Sequence, residues 1–150
     1  MTQALNQFSQ TPEVGDLDLQ HQGNVFPCVV ASTQSTALVP GQAVKMADVA
    51  GGAPKMIGLA ANTDKSFGFV VRNLKDASFA ANAPLEIATG GAVMYMTAGA
   101  AIARGANLEV VYTTNKVITN AGTNPIIGQA LDKAAADDDI IRVLIRTPAQ

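Results

Sequence analysis

Hydrophobic and polar positions alternate in short runs from residue 24 onward, and glycine, proline and asparagine interrupt these runs. No stretch of ten residues has the three-to-four-residue apolar spacing of an amphipathic helix. The pattern predicts about ten strands, with candidates at residues 25–32, 43–47, 56–60, 67–72, 85–89, 92–97, 108–113, 116–119 and 140–147. Short strands at this spacing are typical of an all-β fold, either a small β-barrel or a β-sandwich of the jelly-roll kind.

The last of these candidates has the clearest period of two. Ile141, Val143 and Ile145 fall on one face, while two arginines and a leucine occupy the other. Because side chains in a strand point alternately to opposite faces, this pattern is typical of a half-buried strand. We therefore expect these three residues in the core.

Turn residues divide the other candidates. Pro27 lacks a backbone N–H, so the first candidate is expected at a sheet edge or at a strand start. Gly90 and Gly91 can adopt the positive φ angles of a tight turn, which predicts a hairpin between the two candidates that flank them. Asn115 tolerates the same backbone region and predicts a second hairpin.

Residues 1–24 differ in composition from the rest of the chain. They contain five glutamines and three acidic residues but no Lys or Arg. Their sparse apolar residues lack the period of a helix that would be stable alone. We therefore predict an extended N-terminal arm over residues 1–24 and an all-β domain over residues 25–150. The arm residues expected to contact a partner are four apolar anchors and three acids that would face a basic strip: Leu5, Phe8, Leu17, Leu19, Glu13, Asp16 and Asp18.

The chain contains a candidate internal repeat. Each copy presents, in the same order, a glycine turn that leads into a strand, an Ile-Gly-x-Ala step, and an apolar strand that ends in arginine. The first copy spans residues 41–46, 57–60 and 69–72, and the second spans residues 105–110, 127–130 and 143–146. Two interpretations stay open, an internal duplication or chance similarity in an alanine-rich chain.

Composition limits the classes of function. The net charge is −2 and no basic run occurs, so we expect no nucleic-acid partner and no anionic membrane partner. No apolar stretch reaches the ~18 residues of a membrane span, and no export signal is recognisable. Charged residues make up 15% of the chain, against about 25% in ordinary soluble domains. Such an exterior is expected when copies of the chain or a partner cover it; the alternative is an alanine-rich monomer.

Few residues could carry chemistry. His21, the only histidine, lies in the predicted arm, and Cys28, the only cysteine, lies in an apolar run that indicates a small buried hydrophobe. Neither has a partner for nucleophilic catalysis. The acidic run at residues 137–139 lacks the spaced ligands of a calcium loop and predicts a solvated turn. We therefore expect no enzyme, no cofactor and no metal site.

A series of short motifs runs through residues 98–146. It comprises Ala103-Arg104-Gly105, the apolar run at residues 108–112, Asn115-Lys116-Val117, the Ile-Gly-x-Ala step at residues 125–131, and the alternating strand at residues 140–145. Residues 38–62 add an earlier Pro-Gly step and a Gly-x-Ala step. The series resembles that of tailed-phage capsid cement proteins, also called head-decoration proteins.

This resemblance implies a small all-β protein that is made in the host cytoplasm and binds the outer surface of an icosahedral phage head. It implies a homodimer or homotrimer at local symmetry positions that clamps neighbouring major capsid protein subunits, without catalysis, cofactor or metal. A different class stays open, a β-barrel module that binds a small molecule or a carbohydrate in a pocket among its strands.

Overall fold

The structure, a computed structural model, describes residues 11–18 and 23–148. These residues form ten strands and no helix, which confirms the all-β class. None of them builds a helix that could cross a membrane. The strands are β1 (Val25–Val30), β2 (Ala43–Met46), β3 (Lys55–Gly58), β4 (Gly68–Val70), β5 (Pro84–Ala88), β6 (Val93–Thr97), β7 (Asn107–Val111), β8 (Lys116–Thr119), β9 (Gly128–Ala130) and β10 (Ile140–Ile145).

Strands β1 to β5 close into a barrel, here called the first barrel, in the order β1-β3-β2-β4-β5. β1 runs parallel to β3 and antiparallel to β5, and the remaining neighbours are antiparallel. Because alternate side chains point inward, one apolar cluster fills the interior. Its buried members are Cys28, Val30, Leu38, Val44, Met56, Val70, Phe79, Leu85 and Ile87.

Strands β6 to β10 form a second sheet in the order β6-β10-β9-β7-β8. Its connectivity repeats that of the first barrel, with β6 in the place of β1 and β10 in the place of β5. The outer strands meet through one parallel bridge, between Ala98 and Val117. The corresponding bridge in the first barrel joins Val30 and Met56 of β1 and β3. The chain is therefore an internal duplication of a five-stranded unit.

Corresponding interior residues differ in size between the two units. The bridge Leu38–Phe79 in the first barrel corresponds to Ile102–Ala134 in the second sheet, so a phenylalanine in one unit matches an alanine in the other. All four side chains are at most 2% exposed. The interiors of the two units are therefore filled by different side chains at corresponding positions.

The two units share a core. Ala43, Phe69 and Ala88 belong to strands of the first barrel, yet they pack in the cluster that fills the second sheet. Val70 points into the interior of the first barrel, whereas Phe69, its neighbour in β4, points to the outside of that barrel. Phe69 is nevertheless completely buried. The outer face of β4 is thus buried by the second sheet, and the core of the second sheet is completed by residues of the first barrel.

Two glycines hold corresponding positions at the starts of β4 and β9. A Cβ atom on Gly68 would lie 2.6 Å from the carbonyl oxygen of Ala88, and one on Gly128 would lie 2.5 Å from that of Leu144. Both distances are too short for a real contact, so only glycine fits where these strands meet their neighbours.

Several predictions about strands are confirmed. Ile141, Val143 and Ile145 of β10 are buried, with exposures of 1%, 0% and 1%. Asn115 has a φ of 58° and turns the hairpin between β7 and β8. Cys28 is buried.

Other predictions are wrong. Gly90 and Gly91 make a tight turn, with the Ala92 N–H donating to the Thr89 carbonyl, but β5 and β6 do not pair; the turn passes from the first barrel to the second sheet. Strand β9 is absent from the predicted candidates, because its three residues are too few for a period of two to show.

The repeat is real, but its predicted alignment is correct only in its first element. Residues 41–46 lead into β2 and residues 105–110 into β7, which correspond. The Ile-Gly steps lie in non-corresponding strands, β3 and the start of β9, and the strands that end in arginine are β4 and β10. The true counterpart of Ile127-Gly128 is Phe67-Gly68, since the N–H of Phe67 and that of Ile127 donate to corresponding carbonyls of β2 and β7.

Candidate interaction surface

The described part of the N-terminal segment, residues 11–18, lies along the edge of β6 that β10 leaves open. Leu17 faces Met94 in an antiparallel bridge and packs on the core of the second sheet. Three backbone hydrogen bonds hold the segment there: Gly15 N to Tyr95 O (2.9 Å), Tyr95 N to Asp16 O (2.9 Å) and Asp18 N to Val93 O (2.8 Å). An edge strand with unpaired N–H and C=O groups invites association, and this segment covers it.

The corresponding edge of the first barrel is protected differently. Pro27 of β1 occupies the position that Tyr95 holds in β6, as the registers of both strands with their neighbours show. Proline has no N–H to offer, so this edge position cannot donate to an added strand. The barrel is closed, but β3 pairs only with Val29 and Val30 of β1, so Pro27 lies on a side of β1 that no strand of the barrel covers.

The acids of the segment are paired within the chain. Arg72, which follows β4, contacts Glu13 and Asp16, each at 3.2 Å, and its own N–H donates to the Gly15 carbonyl. Asp18 lies 3.7 Å from Arg142. We expected these acids to face a basic strip on a partner; the structure places them against arginines of both units. The segment therefore ties the first barrel to the second sheet.

Other residues named from the sequence are not available for description. Leu5, Phe8, Leu19 and His21 lie outside the described residues. The expected contacts of Leu5, Phe8 and Leu19 with a partner stay predictions, as does the boundary of an arm at residue 24. Leu17 is half-buried against the chain's own core.

A cavity of about 550 Å³ opens between the N-terminal segment and the two units. We call it the junction groove. Its apolar wall includes Val14, Pro40 and Ile140, the last of which is 44% exposed. Charges of both signs surround it, on Glu13, Arg72, Lys75 and Asp76. Apolar residues beside charges of both signs are typical of surfaces that contact other proteins.

Residues 72–78 form a loop, most of which lines this groove, and the loop presents one leucine to solvent. Leu74 is 86% exposed, the most exposed of the large hydrophobic residues described. The loop is nevertheless ordered by its own hydrogen bonds, because the Asn73 Oδ1 atom accepts from the N–H groups of Lys75 (2.8 Å) and Asp76 (2.7 Å). An asparagine that bonds the backbone in this way fixes a turn.

Sequence reasoning missed this loop. Leu74 stands alone among polar residues, and single exposed leucines are common. A signal was present in Asn73 and Asp76, which are typical turn residues on either side of it. The length of the loop becomes informative only when the two units are compared, and that comparison needs the correct alignment of the repeat.

Catalytic or metal chemistry finds no support in the described residues, where no group of three His, Cys, Asp or Glu side chains could hold a metal ion. Burial raises the pKa of the Cys28 thiol to about 11, so the thiol is protonated and unreactive at neutral pH. The interiors of both units are filled with apolar side chains. A groove of about 390 Å³ lies against β1 and β5, lined by Pro27, Leu85 and Glu86 among others, so the ligand-binding alternative stays a prediction.

The remaining acids stabilise loops. Asp132 accepts hydrogen bonds from Nε (2.9 Å) and Nη2 (2.8 Å) of Arg142, and this guanidinium holds the pKa of the carboxyl below its ordinary value. Asp137 and Asp138, in the predicted solvated turn, each lie 2.7 Å from the Lys116 ammonium. These pairs are partly exposed, and exposed pairs contribute little to stability.

The fold defines a class: an all-β protein that contains two copies of a five-stranded unit. Among the described residues we identify surfaces suited to contact with other molecules, but no group of side chains arranged for a reaction. The family model of the XM1 gp53 minor capsid protein matches residues 4–145. The chain belongs to this family, and it is a phage capsid-associated structural protein. The resemblance to phage capsid proteins is therefore confirmed.

Among solved structures, the chain is similar to the head fiber gp8.5 N base in bacteriophage phi29. The two share 10% identity with a TM-score of 0.53, and the match covers 85% of this chain and 98% of that chain. At this identity the similarity shows the fold alone. A comparison with curated proteins gives no match.

Proposed function

We propose that this protein is a capsid cement protein, which binds the outer surface of an icosahedral phage head as a homo-oligomer and clamps neighbouring major capsid protein subunits. The observation that carries the proposal is the family match over residues 4–145 to a minor capsid protein. The partners would be the major capsid protein and further copies of this chain. The place of action would be the virion.

The surface of the molecule supports an attachment role. Only 15% of its residues are charged, and several large apolar side chains are exposed, Leu74 and Ile140 among them. Exposed apolar residues rimmed by polar ones are typical of protein contacts. A non-enzymatic role agrees with the buried, protonated thiol of Cys28.

Residues 1–10 are the part of the predicted arm best suited to reach the capsid. They precede a segment that is tied to β6 and Arg72, so they start from a fixed point at the junction of the two units. They carry Leu5 and Phe8 as apolar anchors and no charged side chain. Contact through them would be apolar and therefore only weakly dependent on salt.

The proposal is tested by incubating the protein with expanded shells of the major capsid protein and sedimenting the mixture. We expect the protein to sediment with the shells, and deletion of residues 2–10 to weaken binding at least tenfold while the melting temperature is kept. A variant with His21→Ala and Cys28→Ser should bind as the parent does. A protein that stays in the supernatant at all concentrations would overturn the cement role.

A further inference from the structure

The duplication provides an internal control for loop lengths. The two units close the same five strands with the same connectivity. A loop that is much longer in one unit than in the other therefore contains residues that closure of the unit does not require. Such residues are candidates for contact with other molecules.

The loop after β4 shows the clearest difference. It starts from corresponding points, because the Val71 N–H donates to Glu86 O and the Leu131 N–H donates to Arg142 O, both at 2.9 Å. It ends at corresponding points, Phe79 and Ala134, which make equivalent bridges. Between these points the first barrel has residues 72–78 and the second sheet only residues 132–133. The first barrel thus carries five extra residues.

These extra residues hold Leu74 away from the protein. Residues 73–78 are all exposed, so the insertion buries nothing of its own barrel. The Asn73 side chain orders the turn before any partner arrives. A preordered apolar side chain loses little conformational entropy on binding, which favours its use as an anchor.

The junction groove beside the loop matches this anchor. Its apolar wall is formed by Val14, Pro40 and Ile140, and loop residues 72–77, Leu74 included, form the rest of its lining. Its volume of about 550 Å³ exceeds that of a leucine side chain. Its rim carries two acids, Glu13 and Asp76, and two bases, Arg72 and Lys75. Because Leu74 lines its own groove, two copies that face each other would each place Leu74 against the apolar wall of the other, as in an isologous contact. Lys75 and Asp76, of opposite sign, flank this leucine on each copy.

We infer that the inserted loop 72–78 is a self-association element and that Leu74 of one copy occupies the junction groove of a second copy. This inference deepens the proposed function, on which it rests, by naming the surface that forms its homo-oligomer. Because the rim carries charges of both signs, Lys75 of one copy would lie near an acidic side chain of the second copy. The contact is possible in a dimer or in a trimer.

The test is the oligomeric state of the full chain in solution, measured by sedimentation equilibrium up to 100 μM (about the concentration that detects weak contacts). Leu74→Glu should raise the dissociation constant at least tenfold, and circular dichroism should show an unchanged fold. Val49→Glu is the matched control: Val49 is 40% exposed and follows β2, which runs antiparallel to β4, so it lies at the opposite end of the barrel. This control should associate as the parent does.

A covalent test identifies the contact directly. A Leu74→Cys protein mixed with an Ile140→Cys protein should give a disulfide-linked pair under mild oxidation, because each chain carries one new thiol and the link can form only between copies. The parent chain, whose Cys28 is buried, should give none.

A parent that is monomeric up to 100 μM, or an oligomer that Leu74→Glu leaves intact, would overturn the inference. Its failure is distinguishable from failure of the cement role. An oligomer that depends on Leu74 but does not sediment with shells refutes only the cement role. A monomer that sediments with shells refutes this contact and the homo-oligomer but leaves the attachment to the shell intact.

Discussion

Replacement of Gly128 by alanine tests both the close approach of β9 to β10 and the duplication. The new Cβ would lie 2.5 Å from the Leu144 carbonyl oxygen, so the strands must separate by at least 0.5 Å to reach the 3.0 Å limit of real contacts. Overpacking of this kind costs about 1–3 kcal/mol. At about 2 kcal/mol, a chain of this size should melt about 4–8 °C lower.

The assay is thermal unfolding followed by circular dichroism, with urea unfolding as a check that the transition stays cooperative. Gly68→Ala should cost a similar amount, since its Cβ meets the corresponding carbonyl in the first barrel at 2.6 Å. Gly122→Ala is the control. Gly122 has a positive φ of 93° but open space around it, so an alanine there would cause backbone strain without a steric clash. If Gly128→Ala melted within 1 °C of the parent, or above Gly122→Ala, the reasoning would be refuted.

Three further perturbations follow from the structure. Val143→Asp places an unpaired charge at a fully buried position of β10 and should cost about 3 kcal/mol or more; a variant that melts like the parent would contradict the assigned face. Deletion of residues 2–22 removes the pairing partner of β6 and should lower the melting temperature by about 5 °C. Deletion of residues 2–10 should leave the melting temperature unchanged. If the two deletion variants had the same melting temperature, the segment at residues 11–18 would add no stability. The Arg142 guanidinium lowers the pKa of Asp132 from 3.8 in the folded protein. The pair therefore contributes stability above pH 3.8, and this stability is lost as the pH falls through the pKa of the folded protein. Below about pH 4 the free energy of unfolding of the parent should fall more steeply than that of Asp132→Asn, and parallel plots of this free energy against pH would count against the pair.

Sequence reasoning succeeded where the signal was local. The period of two in residues 140–147 reports directly on burial of β10, and Asn115 reports on the backbone angle of its own turn. It failed where the outcome depended on distant partners. Gly90 and Gly91 favour a tight turn, but the local sequence does not determine whether the flanking strands β5 and β6 pair. In the fold β5 pairs with β1 and β6 pairs with β10, and both partners are distant in sequence.

The candidate surface was predictable only in part. The acids Glu13 and Asp16 were identified, but their pairing with Arg72 could not be, since Arg72 lies far along the sequence and only the fold brings it to the segment. Leu74 has no periodicity around it, so a pattern search passes over it.

The position of Phe69 has a consequence for how the gene product can be divided. Because this side chain leaves the first barrel and completes the core of the second sheet, cutting the chain in the turn at Gly90 and Gly91 would expose an apolar face on each fragment. We expect that neither fragment is soluble alone and that the two fragments associate when they are produced together. We therefore expect the molecule to melt in a single step, as a covalently fused pair of subunits whose sequences can diverge while the two stay linked.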